Sequence, residues 1–388
     1  MKVAIPKERR AGELRVAASP ETVKKLKGLG LDVVVESGAG LGSSIPDAAF
    51  AAAGATIAAD AASALGDADI VLKVQRPLLS GEGQAGAAGD TNELALLKKG
   101  ALLFAILNPH NSREHVKAYA EAGVNAFAME FMPRITRAQV MDVLSSQANL
   151  AGYKAVVDAA SEYGRAFPMM MTAAGTVPPA RAFIMGVGVA GLQAIATAKR
   201  LGAIVSATDV RPAVKEQVQS LGGSFVAVEN DEFKQAETAG GYAKEMSDDY
   251  KRQQAALVAE HIKKQDIVIT TALIPGRKAP ILVTAEHVAS MKPGSVLIDL
   301  AVEQGGNVEG SKLGEVVVTA NGVKIVGHAN YPSRIAESAS LLYAKNLLAL
   351  LTVLHDKDKG VAVNWDDEIV KAIALTRDGA VVHPAFAG

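Results

Sequence analysis

The apolar run Arg181-Ala-Phe-Ile-Met185 turns through Gly186-x-Gly188-x-x-Gly191 into a helical pattern, and this stretch constrains the fold more than any other. In such a turn the first glycine permits a tight bend. The second lets backbone approach a pyrophosphate without a Cβ in the way, and the third lets the helix lie close to the strand. A second apolar run, Ile204–Thr208, follows the helix and ends at Asp209; a dinucleotide-binding unit carries its acidic residue about 20 residues beyond the glycines. Strand, glycine turn, helix, strand and acid in this register predict a dinucleotide site rather than a glycine-rich turn that binds nothing.

Asp209 bears on which dinucleotide. A carboxylate there can accept both hydroxyls of an adenosine ribose and would repel a 2′-phosphate, which favours NAD over NADP. Arg211 points the other way, because a nearby arginine can accommodate that phosphate. Asp209 stands nearer the expected ribose position; its alternative role is a solvated loop charge.

The 388 residues exceed one ordinary core and suggest two domains. A formal charge of −1 without a basic stripe gives no footprint for nucleic acid, and 4% aromatic residues leave little for base stacking. With no cysteine there are no disulfides, thiolate chemistry or cysteine metal sites. The histidines, among them His110, His115, His261 and His328, lack metal spacing, so no metal is expected. The opening Met-Lys-Val-Ala-Ile-Pro-Lys-Glu reads as a first strand rather than a signal peptide, predicting a cytoplasmic chain. The apolar stretch Ala336–Leu354 contains Glu337, Ser338, Ser340, Lys345 and Asn346, and is therefore expected not to span a bilayer, so that any membrane link runs through a partner.

Short apolar runs at Val3–Ile5, Leu31–Val35, Ile70–Val74, Leu102–Leu107 and Asn125–Met129 alternate with helical patterns, as in a parallel sheet with crossovers. Gly38-Ala-Gly40-Leu-Gly42 follows the wrong strand and reads as a plain turn, and Leu79–Asp90 as a surface loop. Further strands are expected at Ser224–Val228, Asp266–Thr271, Ser295–Leu300 and Lys324–Val326. Long helical patterns at Ser145–Tyr163 and Arg334–Leu354 bracket them. The fold expected is α/β: two Rossmann-like domains with parallel sheets, linked by two long helices across a cleft. Residues 1–144 with 335–388 form one domain and 145–334 the dinucleotide domain.

The segment from Met132 to Gln147 concentrates Arg134, Gln139, Asp142 and Ser145 where a loop runs into a helix. These groups either serve a site or merely cap the helix and charge its surface. Glu229–Ser247, with Gly240, Gly241 and Tyr242, reads either as a mobile flap or as an inert surface loop.

The opening Ile5-Pro-Lys-Glu through Pro20, and Met171-Thr-Ala-Ala-Gly-Thr-Val-Pro-Pro-Ala-Arg181, resemble the alanine dehydrogenase and transhydrogenase superfamily. Within it the whole chain is similar to the NAD(H)-binding components of proton-translocating nicotinamide nucleotide transhydrogenases. Pro133–Gln147 resembles their arginine, glutamine and aspartate loop, and Gly240–Met246 their mobile loop. The resemblance implies Arg134, Gln139, Asp142 and Ser145 around the nicotinamide and its ribose, with Gln139 also facing a second nucleotide. It implies Val187, Gly188 and Val189 under the pyrophosphate, in the cofactor-binding loop that Gly186 and Gly191 shape, and Asp209, Val210 and Arg211 around the adenosine. Gly241, Gln254 and Leu273 match contact positions, and Tyr242 would close over the nucleotide. It further implies a homodimer on the cytoplasmic face of the inner membrane, without insertion of its own, joined to a membrane-spanning component and an NADP(H)-binding component.

Chemistry separates the two branches of that superfamily. Reducing an imino or 2-oxo acid takes a proton as well as a hydride, and so needs a positioned acid or base. Passing hydride between two nicotinamides needs only two rings held in a fixed, dry geometry. The alanine dehydrogenase pattern has a lysine in an early strand, matched by Lys73, and a histidine after the next apolar strand, where this chain has Asn108 with His110 nearby. That departure favours the transhydrogenase reading over an NAD-dependent alanine dehydrogenase. A nucleotide-binding regulatory subunit without chemistry is the third reading.

Overall fold

The computed structural model describes residues 1–82, 92–234, 246–274 and 276–387. Gly241, Tyr242, most of the expected flap and most of the expected 79–90 loop lie outside them. Contacts divide the chain into a unit of Met1–Gln147 with Pro332–Gly388 and a unit of Ala148–Tyr331.

The first unit begins β1 (Lys2–Ile5), α1 (Pro20–Gly28), β2 (Asp32–Glu36), α2 (Asp47–Ala52), β3 (Thr56–Ala58) and α3 (Ala61–Leu65). It continues β4 (Ile70–Gln75), β5 (Leu102–Ile106), α4 (Arg113–Glu121) and β6 (Asn125–Ala128), and the next helix, α5 (Val143–Glu162), begins within it. The sheet order is β3-β2-β1-β4-β5-β6, with every pair parallel. Helical crossovers cover both faces of such a sheet, and its side chains divide accordingly. Val3, Ile5, Ile70, Leu72 and Phe104 enter one core, whereas Ala4, Val71, Leu103 and Ala105 enter the other. Period-two alternation with both faces apolar explains why these strands read as continuous hydrophobic runs. Ser19 starts α1 through a capping box with Thr22, and Pro20 takes the first helical turn, where a missing N–H costs nothing.

The second unit carries the antiparallel ribbon β7 (Met170–Thr172) and β8 (Gly175–Val177). Then come β9 (Arg181–Met185), α6 (Val189–Arg200), β10 (Ile204–Thr208), α7 (Val214–Ser220), β11 (Ser224–Phe225), α8 (Asp231–Lys234), α9 (Asp248–Ile262) and β12 (Ile267–Thr270). The unit closes with α10 (Ala285–Ser290), β13 (Val296–Asp299), β14 (Val316–Val318) and β15 (Lys324–Val326). The order β11-β10-β9-β12-β13-β15-β14 turns back on itself at β9, and only β14 among these described strands runs antiparallel. In such sheets the crevice at the carboxyl ends of the two central strands is where ligands bind. Here those ends are Met185 and Thr270. The edge strands β3 and β14 are only three residues long, too short to stand out in the sequence, although β14 is all valine.

Helix α11 (Ala336–Leu354) belongs to the first unit. By length and apolar composition the stretch Tyr331–Leu354 could cross a membrane, so the sequence expectation that its polar residues forbid this does not hold on composition. Half of that apolar stretch is buried within the protein, as in a core helix. Glu337, Ser338 and Lys345 are exposed, whereas the buried polar groups are paired inside: Ser340 Oγ accepts the Val16 N–H at 2.9 Å, and the Tyr343 hydroxyl donates to the Lys73 carbonyl at 2.8 Å. Beyond α11 lie the ribbon β16 (His355–Asp356) and β17 (Gly360–Val361), α12 (Glu368–Ile373), and the ribbon β18 (Thr376–Arg377) and β19 (Ala380–Val381). Leu375 N–H donates to the Ala126 carbonyl at 2.8 Å, so this segment covers the free edge of β6.

Candidate functional site

The glycine loop in the second unit satisfies three different constraints. Gly186 has φ +100°, and a Cβ there would lie 2.5 Å from Thr271 Oγ1. At Gly191 a Cβ would stand 1.9 Å from the Gly186 carbonyl oxygen, so helix and loop can approach only without one. Gly188 has ordinary backbone, and its Cβ would meet nothing within 4 Å. Space is thus kept open above the second glycine, in front of α6, whose N-terminus no side chain caps. Free first-turn N–H groups facing open space are what an anionic pyrophosphate requires, so these residues fit a dinucleotide. Val187 is buried, while Val189 and Val210 are exposed.

Asp209, at the end of β10, accepts the Val187 N–H at 2.7 Å through Oδ2. Its Oδ1 accepts both the backbone N–H and the Nε–H of Arg211 at 2.9 Å, and Arg211 Nη2 donates to Oδ2 at 3.0 Å. The sequence treats this acid and this arginine as rivals for the ribose end; the structure makes them one ion pair. For Asp209 to take two ribose hydroxyls, the guanidinium must give up its hold on the carboxylate.

Gln254 lies on α9, where its Oε1 accepts the Val228 N–H at 2.9 Å and its Nε2 donates to Thr208 Oγ1 at 3.2 Å, joining that helix to the end of β10. Leu273 is about half exposed in the loop after β12.

The polar loop of the first unit is a 3-10 turn, Thr136–Met141, pinned from below. Ala138 and Met141 are buried in the core, and Asn346 of α11 donates to the Val140 carbonyl at 2.8 Å. Asp142 and Ser145 fulfil the capping alternative. The carboxylate of Asp142 accepts the Ser145 N–H at 2.9 Å and its hydroxyl at 2.6 Å at the start of α5. Arg134 and Gln139 are exposed, and their side chains make no hydrogen bond or ion pair among the described residues. A fixed backbone therefore presents two uncommitted polar side chains beside a structural cap.

Lys73 on β4 is fully buried, with Nζ 3.1 Å from Glu93 Oε1 and 3.3 Å from Glu8 Oε2. Burial alone would lower its pKa, but the two carboxylates more than offset that and hold it raised. Burial pushes the Glu8 carboxyl up to about 7 against the pull of Lys73. Charged and enclosed by carboxylates, Lys73 is not placed to serve as a base. Asn108 follows β5 with φ +48°, a conformation asparagine tolerates, and His110 packs its ring 5.4 Å from Phe131 and 5.3 Å from Phe386. Glu130 is a group that sequence reasoning missed. Its half-buried carboxylate accepts the N–H groups of Leu107 and Asn108, and burial pushes its pKa up to about 7. No motif marks it, because its partners are backbone groups more than 20 residues away.

Two family models match the chain: alanine dehydrogenase/PNT, N-terminal domain, over residues 4–151, and alanine dehydrogenase/PNT, C-terminal domain, over residues 155–384. The chain belongs to the alanine dehydrogenase/PNT family. The C-terminal family model takes in residues 332–384, which pack with the first unit. Within the alanine dehydrogenase/PNT family, the chain is 61% identical to an NAD(P) transhydrogenase subunit alpha protein of Rhodospirillum rubrum, across 100% of this chain and 99% of the relative. A crystal structure of transhydrogenase from Sinorhizobium meliloti matches with a TM-score of 0.86 at 58% identity, covering 98% of this chain and 100% of that one. An L-alanine dehydrogenase structure matches with a TM-score of 0.82 at 26% identity, over 100% of this chain and 98% of that one. The backbone is common to both branches of the family, and side-chain identity lies with the transhydrogenases.

Proposed function

We propose that this chain is the NAD(H)-binding component of a membrane-bound, proton-translocating transhydrogenase, exchanging hydride with NADP(H) held by a partner subunit. The observation that carries the reading is the open cradle above Gly188 at the uncapped start of α6, in a chain 61% identical to a transhydrogenase subunit. When bound, the dihydronicotinamide supplies the hydride.

In this reading the pyrophosphate lies over Val187, Gly188 and Val189, held by the N–H groups of Gly188 to Gly191, and Asp209, Val210 and Arg211 hold the adenosine end, with Asp209 excluding a 2′-phosphate. Arg134 and Gln139 orient the nicotinamide, and Asp142 and Ser145 fix the turn that carries them. Gly241, Gln254 and Leu273 add nucleotide contacts, and Tyr242 closes over the site to exclude water. The buried pairing of Lys73 and the asparagine at 108 support a site without the proton relay that an amino-acid dehydrogenase needs.

The partners follow from the same reading: a membrane-spanning component, an NADP(H)-binding component and a second copy of this chain, with the assembly peripheral on the cytoplasmic face. Support for self-association is the ribbon β7–β8, where Met170 and Met171, with Met169 just before them, are exposed. An isolated two-stranded ribbon is marginal in water and gains from being covered.

Glu130 is an observation on the side of an alanine dehydrogenase, since a carboxyl near pKa 7 suits general acid chemistry. Both its oxygens are already bonded to backbone N–H groups, as expected of a loop cap. The test is direct. The purified chain with alanine and NAD⁺ should be inert, and adding an NADP(H)-binding transhydrogenase component should produce hydride exchange; turnover of alanine by the chain alone would reverse the assignment.

A further inference from the structure

The loop that leaves β12 is tied to the glycine turn through Thr271 and, at Ala272 and Pro280, to the buried side chain of Asn307. Thr271 donates from N to the Met185 carbonyl at 2.9 Å and from Oγ1 to the Gly186 carbonyl at 3.0 Å, joining this loop to the glycine turn. The next residue, Ala272, is held on both sides by Asn307. Its N–H donates to Asn307 Oδ1 at 3.0 Å, and its carbonyl accepts from Asn307 Nδ2 at 2.9 Å. The same Nδ2 donates to the Pro280 carbonyl at 2.7 Å, and the Asn307 carbonyl accepts the N–H groups of Leu282 and Val283 at 2.8 and 3.0 Å. Asn307 is fixed in turn by its own N–H, which donates to the fully buried Asp299 carboxylate at 3.0 Å.

One primary amide thus supplies an acceptor and two donors with no solvent to replace them. Aspartate has no donors, serine is too short and glutamine too long for the same pairing. Between the held ends stand Leu273 and Ile274, both strongly exposed apolar side chains. A dinucleotide over the end of β9 has its adenosine half on the β10 side and its nicotinamide half on the β12 side. The Asn307 clamp acts on the second side alone.

We propose that Asn307 is a positioning residue for the dinucleotide site, setting the loop after β12 against the nicotinamide half while leaving the adenosine half untouched. The proposal rests on the reading of this unit as an NAD(H) site. It is tested by titrating the full chain with NADH and, separately, with AMP, which occupies the adenosine half only. Asn307→Ala should raise the Kd for NADH about tenfold, the loss expected of a broken buried hydrogen-bond pair, and leave that for AMP unchanged. Thr271→Val cuts the second tether without leaving a cavity and should give the same split on a smaller scale, whether or not Asn307→Ala folds. Equal weakening of NADH and AMP in both variants, or no weakening of either ligand, would overturn the positioning role. An unaltered chain that bound neither ligand would instead remove the NAD(H) reading itself, and the proposal with it.

Discussion

The backbone N–H of Val187 donates to the Asp209 carboxylate at 2.7 Å, so the glycine turn after β9 and the acid after β10 are one hydrogen-bonded piece. Asp209 therefore shapes the turn, and in the proposed reading it also presents negative charge to the ribose end. Asp209→Asn keeps an acceptor for Val187 and loses the charge, whereas Asp209→Ala leaves a buried N–H unpaired at a cost of about 1–3 kcal/mol.

In equilibrium titrations the unaltered chain should prefer NADH to NADPH by roughly 100-fold, because a carboxylate and a phosphate a few ångströms apart repel by several kcal/mol at the dielectric of a protein surface. Asp209→Asn should shrink most of that gap with little loss of thermal stability. Equal affinities in the unaltered chain would mean that Arg211 governs the site.

Two glycine substitutions should separate binding from folding. Gly188→Val puts its side chain into open space and meets no strained backbone, so the melting temperature should hold while NADH binding disappears. Gly191→Ala forces a Cβ to within 1.9 Å of the Gly186 carbonyl oxygen and should destabilise the fold before any ligand is added. Calorimetry with and without NADH distinguishes the two, and a Gly188→Val protein that bound normally would refute the cradle.

Glu130 gives a pH dependence of known sign. Its folded pKa, about 7, lies above the ordinary 4.5. Its contribution to stability is complete below the ordinary value and is lost as pH rises through 7, with a ceiling of roughly 3 kcal/mol. Glu130→Gln removes the titration. Relative to the unaltered chain, the variant should melt comparatively better at pH 8 than at pH 5; a constant difference in Tm across that range would contradict the assignment.

The sequence showed most where one residue type alone meets a constraint. The three glycines of the turn, each excluded from carrying a Cβ or positioned to leave space, made the second unit legible, and continuous apolar strands made the first. The Asp142–Ser145 cap was legible as an alternative because its partners are three residues apart. Lys73 and Glu8 were not legible as a pair, because they meet only when β4 lies beside the end of β1. Nor was the pairing of Asp209 with Arg211, which depends on how the chain turns after β10. Ser340 and Asn346 looked like polar interruptions in α11 until folding supplied Val16, Ser146 and Val140 as their partners.

Arg134 and Gln139 carry the central claim, since among the described residues both side chains stand uncommitted, Gln139 on a pinned turn and Arg134 just before it. If they orient the nicotinamide while the pyrophosphate and adenosine ends supply most of the affinity, changing them should slow transfer far more than it weakens binding. A displacement of about 1 Å at the reacting atoms can cost on the order of 100-fold in rate. Gln139→Asn keeps the amide and shortens its reach, so it should be severe, whereas Tyr242→Phe keeps the ring that excludes water and should be mild. The decisive measurement is stopped-flow hydride transfer from NADH on this chain to an NADP⁺ analogue on the partner component, read beside the NADH Kd. The account predicts for Gln139→Asn a rate lowered on the order of 100-fold with near-normal affinity. Transfer at the normal rate, or a rate reduced only in proportion to lost affinity, would contradict it.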